Sequence, residues 1–125
     1  MSWTNSAQMN LLEHFLNLSA TRQALITSNI ANVDTPGYHT QDISFTEEMQ
    51  RALQSASQGD DLETTQPVIH EVHGLITRPD GNNVSIDREG LLLSETQLQF
   101  SIASQLMKAK FKELNLAINE GSSSS

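Results

Sequence analysis

Two long stretches free of proline bracket a short segment full of turn-forming residues, and this spacing limits what the chain can become. Residues 5–33 contain neither Pro nor Gly, and residues 87–119 contain no Pro. Between them, Thr35-Pro36-Gly37 and Arg78-Pro79-Asp80-Gly81-Asn82-Asn83 concentrate turn chemistry. The residue before Pro avoids the helical region, and Gly admits positive φ, so helix formation stops at Thr35. The sequence therefore predicts two helical rods, about 44 and 50 Å long at 1.5 Å per residue, joined by an irregular middle.

Apolar spacing supports both rods. In the first, Leu11, Phe15, Leu18 and Leu25 recur at three-, four- and seven-residue steps, beside a second register through Leu12, Leu16, Ile26, Ile30 and Val33. Asn5, with Gln8 three residues on, predicts the start. Arg22 and Asn29 interrupt the stripe, as polar residues do where packing register must be fixed. In the second rod, Leu91, Leu98, Ile102, Leu106 and Ala109 form one row, and Met107, Phe111, Leu114 and Ile118 another. Asp87 is placed to cap it, Lys108, Lys110 and Lys112 suit its C-terminal dipole, and Gly121 predicts its end. The fold class read from this pattern is mainly α: long N- and C-terminal amphipathic helices forming a coiled-coil-like pair or bundle, with a short irregular central segment. The divisions are 1–34, 35–86 and 87–121, followed by a flexible tail at 122–125. Within the middle, His39–Phe45 reads as extended. Ser44 to Glu47 reads as a capping box for a short helix to Ala56, and 55–65 as a loop. Val68–Val72 and Val84–Ile86 are candidate strands of a small β-hairpin across the turn at 78–83.

Composition excludes several functions. The chain of 125 residues has no Cys, which removes disulfide scaffolds, thiol nucleophiles and thiolate metal sites. Its net charge of −8 argues against nucleic acid or anionic lipid as a main partner. The acids concentrate in the middle: residues 59–90 carry 7 acidic and 2 basic groups, whereas 91–125 carry 3 of each. No apolar run exceeds three residues, and Met1-Ser2-Trp3-Thr4-Asn5 carries no basic stretch followed by an apolar block, so neither a membrane span nor a cleavable secretory signal is expected.

No catalytic constellation emerges. His70 and His73, with Asp60, Asp61 or Glu63 as a third ligand, would suit a metal only on a helix. The surrounding Val-Ile-His-Glu-Val pattern reads as extended, which sends the two imidazoles to opposite faces. Two surface histidines are the simpler reading. No Ser sits in a nucleophile elbow, and Asp80-Gly81-Asn82-Asn83 lacks the alternating acids of a calcium loop. No cofactor is expected.

The distinctive string is Ser28-Asn29-Ile30-Ala31-Asn32-Val33-Asp34-Thr35-Pro36-Gly37-Tyr38. Physically it is a helix end with Asn29 and Asn32 on one face, a sharp turn, and an aromatic anchor. Either amide can bond across an interface or to carbonyls freed at the helix end. The whole string resembles the signature of the flagellar rod and hook axial proteins, Asn-hydrophobic-small-Asn-x-x-Thr-x-Gly-Tyr after an N-terminal helix. Residues 78–89, which include Asp80, Gly81, Asn82 and Asn83, resemble a block of the B-type rod proteins, the proximal-rod branch of that family.

That resemblance implies a structural subunit of the proximal rod of the bacterial flagellar basal body, not an enzyme. It implies terminal helices that line the inner rod around an export channel. It implies passage through the flagellar type III export apparatus, and as partners further copies of the chain, other rod proteins and the base adaptor or membrane ring. Asn29, Ile30, Asn32, Thr35, Pro36, Gly37, Tyr38 and Asp80 to Asn83 become the expected family motif and assembly interface. Leu11, Phe15, Leu18, Leu25 and Ile26 are expected to pack against Leu98, Ile102, Leu106, Phe111 and Leu114, within and between subunits. Another rod subunit of the family and a cytoplasmic helical adapter or chaperone are the alternatives.

Overall fold

The computed structural model describes residues 2–59 and 66–123, with side chains described from residue 6 to residue 119. Five elements follow in order: α1 (Ser2–Ala31), β1 (Gln41–Ile43), α2 (Phe45–Ser57), β2 (Ile69–Glu71) and α3 (Ile86–Ser123). The long helices pack side by side. The end of α1 lies against the start of α3, where Asn29 meets Glu89, so the pair is antiparallel. β1 and β2 form a two-stranded antiparallel sheet with Asp42 opposite His70, and α2 covers part of α1. Phe15 of α1 meets Phe45 of α2 edge to face, with ring centroids 5.0 Å apart, the orientation that the ring quadrupoles favour. Among the described residues no helix is long and apolar enough to cross a membrane.

The core is small and unusually polar. Its buried apolar residues are Leu18, Ile26, Ile43, Ala52, Val84 and Ala103. Ser19, Asn29, Thr40, Asp42, Glu48, Asn82, Asn83, Glu89 and Thr96 are buried with them. Buried polar groups are costly unless bonded, so the fold depends on how well these are partnered. Glu48 of α2 accepts from Arg51 and from the backbone N–H of Val68 (3.1 Å), which ties the chain after α2 back onto that helix. Burial holds the His14 imidazole below its ordinary pKa, against the opposing pull of Glu48.

Several local expectations change. α1 begins at Ser2, so Asn5 lies inside the helix instead of capping it. Gly121 does not stop α3, which continues to Ser123; a glycine inside a helix costs about 1 kcal/mol but does not terminate it. The Ser44 hydroxyl makes no cap bond. It pairs instead with Nε2 of His70 at 3.0 Å across the sheet. The strand partner of β1 is β2, and Val84–Ile86 is no strand: Val84 and Ser85 are irregular and Ile86 opens α3. One reason lies in Asn82, whose Oδ1 accepts from the Val84 N–H (2.8 Å) that a hairpin ladder would have used. The loop acids Asp60, Asp61 and Glu63 lie outside the described residues.

The inward side of α3 is also not its most apolar side. Glu89, Thr96 and Ala103 recur every seven residues and are buried. Leu91 and Leu98 of the apolar row face outward, both 62% exposed.

The turn at 78–83 packs against the turn at 35–38 at backbone distance. Gly81 has φ +88°, and a Cβ there would lie 3.3 Å from Cα of Gly37. Gly74 has a similar φ of +86° but open space around it. Gly81→Ala should therefore destabilise more than Gly74→Ala, which carries only the left-handed strain of about 1 kcal/mol. Paired chemical-denaturation curves check the order.

Candidate functional site

The two motifs singled out from sequence, 28–38 and 78–89, meet and interlock. Asn29, in the last turns of α1, is buried. Its Oδ1 accepts from the Gln41 backbone N–H (3.1 Å) and from the Tyr38 hydroxyl (3.0 Å). Its Nδ2 donates to the Gln41 carbonyl (2.9 Å) and to Oε2 of Glu89 (3.1 Å). One amide thus mimics a strand edge toward β1 and reaches the first turn of α3. All four of its bonding positions are filled.

Asn32 works locally. Its Nδ2 donates to the Ser28 carbonyl (2.8 Å), and its Oδ1 accepts from the Thr35 hydroxyl (3.0 Å). Helix ends leave carbonyls without partners. Asn82 takes over this task from the second motif: its Nδ2 donates to the carbonyls of Asn32 and Thr35, both at 2.9 Å. Arg78 adds bonds to the carbonyls of Val33 and Val84. Gly37 donates its N–H to the Asp80 carbonyl (2.9 Å), and its φ of +76° makes the turn that brings Tyr38 back toward Asn29. Asp80 caps the second turn by accepting from the N–H of Asn82 (3.0 Å). Asn83 Oδ1 accepts from both the N–H (2.7 Å) and the hydroxyl (2.9 Å) of Thr40.

A charged group lies beside this network. Asp42 of β1 receives both arms of Arg22 from α1 (3.1 Å each) and Nη2 of Arg88 from α3 (2.8 Å). Nη1 of Arg88 donates to Glu89 (2.6 Å). Burial pushes the Asp42 carboxyl up. Hydrogen bonds from Arg22, the Ile43 amide and Arg88, together with the Arg22 charge, outweigh it and hold the group below its ordinary 3.8. Bidentate arginine–carboxylate pairing fixes direction as well as distance, so α1, β1 and the start of α3 are mutually oriented by one carboxylate.

Of the motif residues, Asn29, Asn82 and Asn83 are buried; Ile30, Asn32, Tyr38 and Gly81 are half-buried; Thr35, Pro36, Gly37 and Asp80 are exposed. Of the expected packing residues, Leu18 and Ile26 are buried and Leu11, Phe15, Leu25 and Leu114 half-buried. Leu98, Ile102, Leu106 and Phe111 are each more than half exposed. His70 pairs with Ser44, His39 with Glu71, and no three metal-ligating side chains come together among the described residues. Thr40 and Asp42 belong to the site although no sequence motif marked them, and Arg88 and Glu89, at the end of the 78–89 block, carry its charged contacts. The alternation of Arg22, Asp42 and Arg88 signs was the available signal, but pairing over such separations is not readable without the fold.

The class of protein is given by a family model described as "Flagella basal body rod protein", which matches residues 16–39, from the middle of α1 through the Asn29-to-Tyr38 turn. Curated relatives named flagellar basal body rod protein FlgB match nearly end to end. The Escherichia coli K12 protein is 27% identical over 92% of this chain and 95% of its own length. That of Borrelia hermsii is 27% identical over 88% and 94%. That of Buchnera aphidicola from Acyrthosiphon pisum is 30% identical over 84% and 89%. The chain belongs to the FlgB family of flagellar basal body rod proteins.

Two consequences can be measured. Asn29→Ala leaves the Gln41 backbone groups and Glu89 without their partner, at about 1–3 kcal/mol for each buried group orphaned; a fall of about 3 kcal/mol or more in unfolding free energy is expected, against about 1 kcal/mol for Tyr38→Phe. For Asp42 the sign follows from its lowered pKa. Its contribution is complete above the ordinary 3.8 and is lost as pH falls through the lower folded value. Asp42→Asn should be less stable by about 3 kcal/mol at neutral pH, and the gap to the native chain should close on acidification. Denaturation midpoints recorded from pH 7 downward test this.

Proposed function

We propose that this chain is a structural subunit of the proximal rod of the flagellar basal body, working by shape and contact and not by catalysis. The observation that carries the assembly part of this reading is the outer side of α3. Leu91 and Leu98 on one side of α3, and Phe111 and Ile118 on another, expose apolar surface along a helix that, in a lone subunit, has no reason to be apolar there. Contiguous exposed apolar surface marks an interaction site, and head-to-tail contacts that do not close into a ring build an open helix.

In this reading residues 1–34 and 87–121 form the arms that line the rod core, and residues 35–86 form the outward segment. The interlocked motifs set the angle at which the arms leave that segment. Asn29, Ile30, Asn32, Thr35, Pro36, Gly37, Tyr38 and Asp80 to Asn83 then shape the assembly surface chiefly from within, by fixing the turn. The partners are further copies of the chain, other rod proteins and the membrane-ring or base-adaptor end of the rod. Delivery runs through the flagellar type III export apparatus into the periplasm, and ordering of the arms is completed on assembly. The relatives do not favour a cytoplasmic helical adapter.

Electron microscopy of basal bodies from a strain lacking this chain tests the reading. Rings without a rod, restored by the intact gene but not by versions lacking residues 2–31 or 91–123, are expected. A complete rod in the deletion strain would contradict it.

A further inference from the structure

α3 carries two exposed apolar surfaces on different sides. One is the wall of a groove of about 290 Å³ enclosed by α1, α2 and α3, lined by Leu11, Phe15 and Met49 opposite Ile102 and Leu106. Glu95 is exposed on that same side of α3, seven residues before Ile102. The other is the distal stripe Phe111, Leu114 and Ile118, spaced i, i+3 and i+7, with Phe111 53% and Ile118 66% exposed. At 100° per residue, Phe111, Leu114 and Ile118 point about 80–180° away from Ile102 and Leu106. A rigid helix cannot fold its own stripe into its own groove.

The charges around the two surfaces complement each other. All three lysines of the chain lie at 108–112 in α3. Lys110 pairs with Glu113 at 3.5 Å, whereas Lys108 and Lys112 flank the stripe and are exposed. The four arginines are occupied within the subunit, on Asp42, Glu48, Glu89, Asp80 and backbone carbonyls. Among the described residues, Lys108 and Lys112 are therefore the cations left to meet an acid on a neighbour, and Glu95 beside the groove is such an acid.

We propose that the groove of one copy receives the distal stripe of α3 from a second copy, with Lys108 and Lys112 of the incoming helix beside Glu95. This rests on the rod reading and specifies which surfaces of two copies meet. The contact is heterologous, since groove and stripe are different surfaces of one chain, and it propagates without a symmetry that closes it.

The absence of Cys makes the test direct. Two differently tagged copies, one carrying Glu95→Cys and the other Lys112→Cys, are co-expressed, and isolated basal bodies already shown to contain both are mildly oxidised. A disulfide joining the two tags, absent when both tagged copies carry Glu95→Cys, is expected. Rods of normal length without that disulfide, or with only Glu95→Cys pairs, overturn the proposal while leaving the rod assignment intact. A photoreactive maleimide on Glu95→Cys reports other occupants: capture of a different rod protein and no second copy also overturns it. Lys108→Glu with Lys112→Glu should lower incorporation several-fold and Glu95→Lys should restore it; undiminished incorporation of the double variant contradicts the proposal.

Discussion

The structure depends on one buried amide. Asn29 bonds at once to the backbone of β1, to the Tyr38 hydroxyl and to Glu89 of α3. Among the described residues, no other side chain bonds to the returning turn, to β1 and to the start of α3 at once. Its neighbours repeat the same logic. Asn82 and Asn83 offer side-chain amides to backbone groups of the first motif, and Asp42 holds two arginines from different helices. With so little apolar area buried, directional bonds carry the specificity that a larger core would supply by packing.

This arrangement suits the proposed function, in which the subunit folds after export and then polymerises. A compact hydrophobic core would compete with the intermolecular contacts for the same apolar residues. Here the polar interlock fixes the geometry at one end of the helix pair. The apolar rows of α3 stay exposed for neighbours. The acidic charge of the chain, −8 overall, is consistent with a protein that remains dispersed until a complementary surface is offered.

Much of this was legible in the sequence. The two rods, the stop at Thr35-Pro36-Gly37, the short helix after Ser44 and the extended runs around Gln41 and Ile69 follow from breakers and periodicity. The motif residues stood out as a pattern, and Arg22 and Asn29 as register-fixing interruptions. Three features were not legible, each for a physical reason. Strand pairing of β1 with β2 spans α2, and the local hairpin signal at 78–83 was taken up by side chains instead of a ladder. The inward side of α3 is Glu89, Thr96 and Ala103, so a search for apolar spacing finds the outward row. The Asp42 group joins residues 20 and 46 positions apart, and charge pairing at that range has no local signature.

Native-state hydrogen exchange on the isolated chain tests the central claim most directly. If the interlock organises the fold, the amides of Thr40, Gln41 and Asn83, bonded to Asn83, Asn29 and Tyr38, exchange only through global opening and are among the slowest in the molecule. The distal turns of α3 beyond Phe111 exchange far faster. Equal protection in both places, or fast exchange at Thr40 and Gln41 while the middle of α3 stays protected, would show that helix pairing and not the interlock holds the subunit together.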